Sequence, residues 1–227
     1  MIKIYDALGV DLSGKSGVKI LTGEPGGHNF LNPNLIKDLV RKINGIIIEC
    51  CTAYVGKRQD PNHWQAIKNH GFYDIAPCDI MDEFDEFEIP INNGFHFDKD
   101  IVGEHLKKYN SILMLSHFKG HAMGCFGGAL KNMSIGMAST KGKLNIHSAG
   151  KTLNQQETWN NLPPQDDFLE STADASKGII SYFGKENIVY INVANNLSVD
   201  CDSYSNPADL EMNDLGIFAS LDPVALD

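Results

Sequence analysis

The sequence predicts an α/β fold, doubly wound, with a mainly parallel sheet flanked by helices. Three observations predict it. Short, almost uninterrupted apolar runs recur along the chain, as expected of strands buried on both faces. Segments with helical spacing stand between them. Several of those segments begin on Pro and end on Gly, the asymmetry of helix ends.

The elements follow in chain order. GVKILTG, residues 17–23, reads as a buried strand, followed by the turn-rich EPGGHNFLNP and a helix near 34–43. GIIIECC, 45–51, is a second strand, and PNHWQAIKNHG, 61–71, starts on Pro and stops on Gly as a helix. SILMLS, 111–116, is a third strand, the spacing of 166–184 predicts a long helix, and NIVYINV, 187–193, is a fourth strand. The final stretch, DLGIFASLDPVALD, reads as an apolar strand and the opening of a helix. No internal repeat or low-complexity segment interrupts this order, so residues 1–227 are expected to form one α/β domain, with the natural C-terminal end lying beyond residue 227.

Composition narrows the function. The chain has 227 residues, 42% hydrophobic and 21% charged, which suits a globular core. No apolar run approaches the length of a membrane helix, and the N-terminus has no continuous apolar stretch, so no membrane association and a cytoplasmic location are expected. The five cysteines form no C-x-x-C pair, which argues against a disulfide framework, a zinc ribbon and an intrinsic iron–sulfur cluster. A formal charge of −10 argues against a nucleic-acid partner.

That charge is unevenly spread. From His105 to Gln156 there are seven lysines and no Asp or Glu. The acid-rich DIMDEFDEFEIP, 79–90, is read as a solvated surface edge. The basic zone suits a small anionic ligand.

In doubly wound sheets ligands bind beyond the carboxyl ends of the strands. Three loops qualify. The first, GEPGGHNF, runs through Pro25 and Gly26 between a strand and a helix, and reads either as an anion cradle or as a plain glycine turn. The second, after residue 51, holds Arg58, one of two arginines in the chain, whose fork suits a carboxylate or phosphate. Tyr54 and His63 are further candidates for that pocket. The third spans residues 116–148. There His117, His121 and Cys125 stand four apart, the spacing of a helical zinc face, but Gly120, Gly124, Gly127 and Gly128 cost a helix roughly 1 kcal/mol each. A glycine loop feeding a helix from about Ala129 is the preferred reading, with Lys131 in its first turn against the helix dipole, a placement that an anionic ligand would offset. Asp200, Asp202, Asp214, Ser220 and Asp222 are weaker candidates, better suited to turns and caps.

These residues carry a resemblance. GEPG at 23–26, SHFKGH at 116–121, FGGALKN at 126–132, GKLNIHS at 142–148, and CDSYSNP and GIFASLDPVALD near the end resemble the family called domain of unknown function 362, over nearly the whole chain. Its members often carry iron–sulfur modules, which implies a possible iron–sulfur protein partner. This chain departs from the pattern twice. The stretch 151–168 has no ferredoxin insert, and Cys201-Asp202-Ser203 stands where members often read CDC.

A more distant resemblance is to the N-terminal domain of the nickel-pincer lactate racemase family. His121, the pair Gly127-Gly128, Lys131 and His147 fall in that family's order, ten residues from His121 to Lys131 and sixteen from Lys131 to His147. The resemblance implies His121 as general acid/base, Lys131 as covalent anchor of a pincer nucleotide, and His147 as nickel ligand. The metal could equally be another transition metal. His117, His63 and His28 are the candidates for a second catalytic histidine. Redox or racemase/epimerase-like chemistry on a small anionic substrate is the expected function. The alternative is a non-catalytic ligand-binding or electron-transfer accessory module.

Overall fold

The computed structural model describes residues 1–53, 61–201, 208 and 212–227. Eight α-helices and ten strands are present among them. Helix α1 (Ile2–Ala7) precedes β1 (Ser16–Lys19), α2 (Pro33–Lys42), β2 (Ile46–Glu49), α3 (Pro61–Asn69), β3 (Cys78–Ile80), β4 (Glu86–Pro90) and β5 (Lys99–Gly103). Then come β6 (Ser111–His117), β7 (Lys119–His121), β8 (Cys125–Gly127), α4 (Ala129–Ser134), α5 (Thr140–His147) and α6 (Gln155–Asn160). The long α7 (Gln165–Phe183), β9 (Ile188–Ala194), β10 (Gly216–Ser220) and α8 (Pro223–Leu226) complete it.

The main sheet has six strands in the order β10-β9-β6-β1-β2-β3. All neighbours are parallel except β10, which runs antiparallel on β9 at the edge. From β1 the chain adds β2 and β3 on one side, then crosses to place β6 on the other. The strand order therefore reverses between β1 and β6, the place where such sheets open a crevice.

Alternation along β6 shows why apolar runs mark these strands. Ile112 and Met114 face one core, with Met133 of α4 and Ile179 of α7. Leu113 and Leu115 face the opposite core, with Ile36 and Leu39 of α2 and Ile67 of α3. A strand buried on both faces has no polar side to alternate with. The doubly wound expectation holds, and each predicted strand and helix is present.

Two expectations need correcting. The acid-rich stretch 79–90 is no simple solvated edge. Asp82 is fully buried and accepts backbone N–H bonds from Cys51 (2.8 Å) and Thr140 (3.1 Å), joining the end of β2 to the start of α5. Nor is the segment after β6 a loop or a zinc-binding helix. It forms a hairpin, β7 on β8, which puts His117, His121 and Cys125 on different strands. Cys125 is exposed and left-handed (φ 63°).

Candidate functional site

One cavity lies beyond the carboxyl ends of β1, β2 and β6, at the point where the strand order reverses. Its empty space, open mouth included, is about 850 Å³. Lys19 and Leu21 come from β1 and its continuation, Glu49, Cys50 and Thr52 from β2, Ser116 and His117 from β6. His121, Gly127, Gly128, Lys131, Lys143 and His147 come from the acid-free segment.

Packing holds α4 across this gap. The Asn132 side-chain amide donates to Lys19 O (3.0 Å) and Ser116 Oγ (3.1 Å), tying the helix to both β1 and β6. The N-terminus of α4 is already satisfied. The Asp227 carboxylate accepts from Ala129 N and Leu130 N, each at 2.8 Å, and from Asn192 Nδ2 at 2.7 Å. This alters the expected part of the glycines. Both line the cavity, but a Cβ on Gly128 would collide with that carboxylate, and one on Gly127 would crowd Lys131 Cδ at 3.1 Å. They make room for Asp227 and for the Lys131 stem. At the N-terminus of α4, Ala129 N and Leu130 N are thus already bonded within the protein.

The charges sort by position. Lys19 and Glu49 form a buried pair at 2.6 Å. Glu49 also accepts from Thr22 N (2.8 Å) and Cys50 N (3.3 Å), so its capacity is used within the protein. Burial pushes the Glu49 carboxyl up, but Lys19, His63 and these bonds together hold it below its usual value. Lys143 donates to Ala138 O at 2.5 Å. The Lys131 side-chain amine makes no hydrogen bond or ion pair with any described residue and lines the cavity. With Lys19 neutralised, Lys131 and Lys143 face one remaining acid, Glu24. The cavity therefore favours an anion.

The histidines are held in defined tautomers. His147 Nδ1 lies 2.7 Å from Lys143 O, which only accepts, so Nδ1 carries the proton and Nε2 the lone pair. His121 is the reverse: its Nδ1 accepts from Gly124 N at 2.9 Å, leaving the proton on Nε2. His117 Nε2 donates to Asn195 O at 2.7 Å, and its Nδ1 faces Lys119 Nζ at 3.3 Å. All three are neutral at pH 7. Burial pushes His121 to about 3, His147 to about 4 and His117 to about 4, and neighbouring lysines push each the same way. His121 and His147 both pack on Phe168, with centroids 6.3 and 5.4 Å away, and Trp159 meets His147 edge-on at 5.1 Å.

The structure thus brings His117, His121, Lys131, His147, Gly127 and Gly128 to one cavity. It leaves others out. The turn at 23–27 contributes Glu24 to the wall, while Pro25 and Gly26 stand exposed away from it. His28 is exposed. His63 sits in α3, lowered by burial, near enough to Glu49 and Asp82 to feel both charges, but outside the lining. Arg58, Tyr54 and Asp202 lie outside the described residues. Asp222 caps α8 through Val224 N and Ala225 N, and Asp214 accepts from Asn196 N, so both serve caps and turns as expected. Sequence reading missed Lys119, Lys143, Asn132 and the Lys19–Glu49 pair. The signal for the two lysines was present: both belong to the acid-free window, and only their direction was hidden.

The sequence matches the family described as "Domain of unknown function (DUF362)" over residues 17–227. No curated protein matches it. Among solved structures the chain is similar to the lactate racemase apoprotein from Thermoanaerobacterium thermosaccharolyticum. That likeness has a TM-score of 0.51 at 14% identity and covers 98% of this chain and 52% of that one. It is also similar to a structural-genomics protein from Thermotoga maritima, TM-score 0.54 at 12% identity, covering 99% of this chain and 55% of that one. Likeness at such identities shows the fold alone. The chain spans about half the length of both structures. No described helix is long and apolar enough to cross a membrane.

Proposed function

The chain belongs to the DUF362 family, and from that premise we propose that its cavity holds a phosphate-bearing, metal-carrying nucleotide of the pincer type and performs racemase- or epimerase-like chemistry on a small anionic substrate. The observation that carries this reading is the meeting of His121, Lys131 and His147 in one cavity.

The donor set fits such a group. His147 offers one neutral imidazole lone pair, with its ring fixed by Lys143 O, Trp159 and Phe168. Among the described residues the sole cluster of three metal-ligating side chains is His96, Asp167 and Glu170, none of which lines this cavity. A metal bound beside His147 would therefore need most of its ligands from a carrier of its own. Lys131 supports the same reading, as an amine free to hold that carrier's acidic end. When bound, the group supplies an electron-accepting centre beside the substrate carbon.

The chain's own residues do the rest. Lys143 and Lys131 favour the anion in the cavity, and the apolar wall of Ile135 and Ala53 limits water. His121 holds a proton at Nε2 and donates a hydrogen bond from it. Work as a general base at Nε2 requires the other tautomer, with the Gly124 bond given up. His117, the second proton-handling candidate, keeps its lone pair at Nδ1.

The test is chemical. The protein is produced in a host that makes the pincer nucleotide, and its nickel content, Lys131 peptide mass and racemisation of 2-hydroxy acids are measured. Stoichiometric nickel lost in His147→Ala, with a Lys131 adduct retained in that variant, supports the reading. Metal-free protein without an adduct overturns it. Bound nickel and adduct without turnover on any substrate favours the ligand-binding alternative.

A further inference from the structure

Lys119 opens β7, two residues past His117, and its side chain enters the same cavity while remaining 5% exposed. Its Nζ lies 3.3 Å from His117 Nδ1. Because Asn195 O can only accept, the His117 proton sits on Nε2, and Nδ1 turns a lone pair towards Lys119. Burial pushes the Lys119 amine well below the usual lysine range, the Cys201 thiol opposes this, and Lys131 adds to it. Burial and Lys119 likewise keep His117 neutral. The result is an amine that burial pushes toward its neutral form, a neutral imidazole beside it, and an open cavity whose other lysines attract an anion.

We propose that Lys119 is a nucleophilic amine that forms an imine with a small aldehyde or ketone bearing a carboxylate or phosphate, with His117 Nδ1 as its proton partner. The Nζ lone pair attacks the carbonyl carbon and the C=O π pair moves to oxygen. His117 Nδ1 takes one proton from the attacking nitrogen and gives it to the alkoxide, forming the carbinolamine, and then relays nitrogen's second proton to the resulting hydroxyl. That hydroxyl leaves as water as the C=N bond forms, so amine and carbonyl give imine and water with no change of oxidation state. The assignment goes beyond the racemase-like reading and needs neither a metal nor His147.

The experiment uses the purified chain without added metal. Pyridoxal 5′-phosphate, an aldehyde with a phosphate, is added at low excess, the imine is reduced with borohydride, and the digested protein is mapped by mass spectrometry. The expected result is a reduced adduct on Lys119, suppressed by glyoxylate, absent in Lys119→Met of unchanged circular dichroism, and retained in His147→Ala. His117→Gln should slow its formation about tenfold or more. Adducts on Lys131, Lys143 or surface lysines, with the Lys119 peptide of folded wild-type protein unmodified, overturn the proposal. An unchanged rate in His117→Gln overturns the part assigned to His117. Nickel and a Lys131 adduct are read separately, so failure here leaves the pincer reading standing, and the reverse.

Discussion

His121 and His147 share one aromatic neighbour, Phe168, and present opposite tautomers beside it: His121 keeps its proton on Nε2, His147 its lone pair. One is set by a backbone N–H, the other by a backbone carbonyl. Phe168, on α7, is 1% exposed, so the relative position of the two imidazoles depends on a helix far from them in sequence. Phe168→Leu should keep most of the apolar volume, lose both ring contacts and cost about 1 kcal/mol. Phe168→Ala should cost about 3–5 kcal/mol through the cavity left behind. Urea unfolding checks both values.

Stability should fall as pH drops from 6.5 towards 4. Burial holds His147 at about 4 in the folded chain, against 6.5 when exposed. The unfolded chain thus gains its proton first, and stability present above pH 6.5 is lost as pH falls towards the folded value. The slope from this residue is up to about 1.4 kcal/mol per pH unit. His117 and His121 act with the same sign. Unfolding midpoints of His147→Gln should show a shallower pH dependence than wild type, and an equal slope would refute the assignment.

The Lys19–Glu49 pair supports the cavity floor. Lys19→Met leaves a buried carboxylate without its counter-charge and should cost about 3–5 kcal/mol. Adding Glu49→Gln should recover part of the loss, because an amide oxygen still accepts a backbone N–H while no charge remains buried. The Glu49 carboxyl is held below 4.5, so its contribution is present above pH 4.5 and is lost as pH falls through the folded value. Chemical denaturation of wild type and the two variants at neutral and acid pH separates these terms.

Asp227 governs α4 from the far end of the sequence. Asp227→Ala leaves Ala129 N, Leu130 N and Asn192 Nδ2 without their acceptor, and should cost about 1–3 kcal/mol. Since α4 carries Lys131, the variant should also weaken binding of phosphate-bearing ligands to the folded chain. Thermal melts with and without pyridoxal 5′-phosphate measure both effects.

Much of the fold was legible in the sequence, for a local reason. A strand buried on two faces is apolar at nearly every position, so 45–51 and 111–116 announce themselves without reference to the rest of the chain. The long helix at Gln165–Phe183 is legible through its spacing and the glycine at its end. The stretch 79–90 misled because sequence distance hides partners: Asp82 looks like any surface acid until Cys51 and Thr140 present their N–H groups to it. The hairpin of β7 and β8 was hidden because its pairing is three residues long and rich in glycine, below what periodicity resolves.

The sequence by itself determined the α/β class and the acid-free segment, which follow from residue type and spacing and survive without a third dimension. The trio His121, Lys131 and His147 was singled out by a family resemblance. Tertiary structure alone decided the rest. It placed the trio in one cavity beyond the carboxyl ends of β1 and β6, filled the α4 terminus with Asp227, neutralised Lys19 with Glu49, and turned Lys119 inward beside His117. Desolvation and tautomer depend on what stands across a few ångströms of space, and the chain brings those partners from residues far apart in sequence.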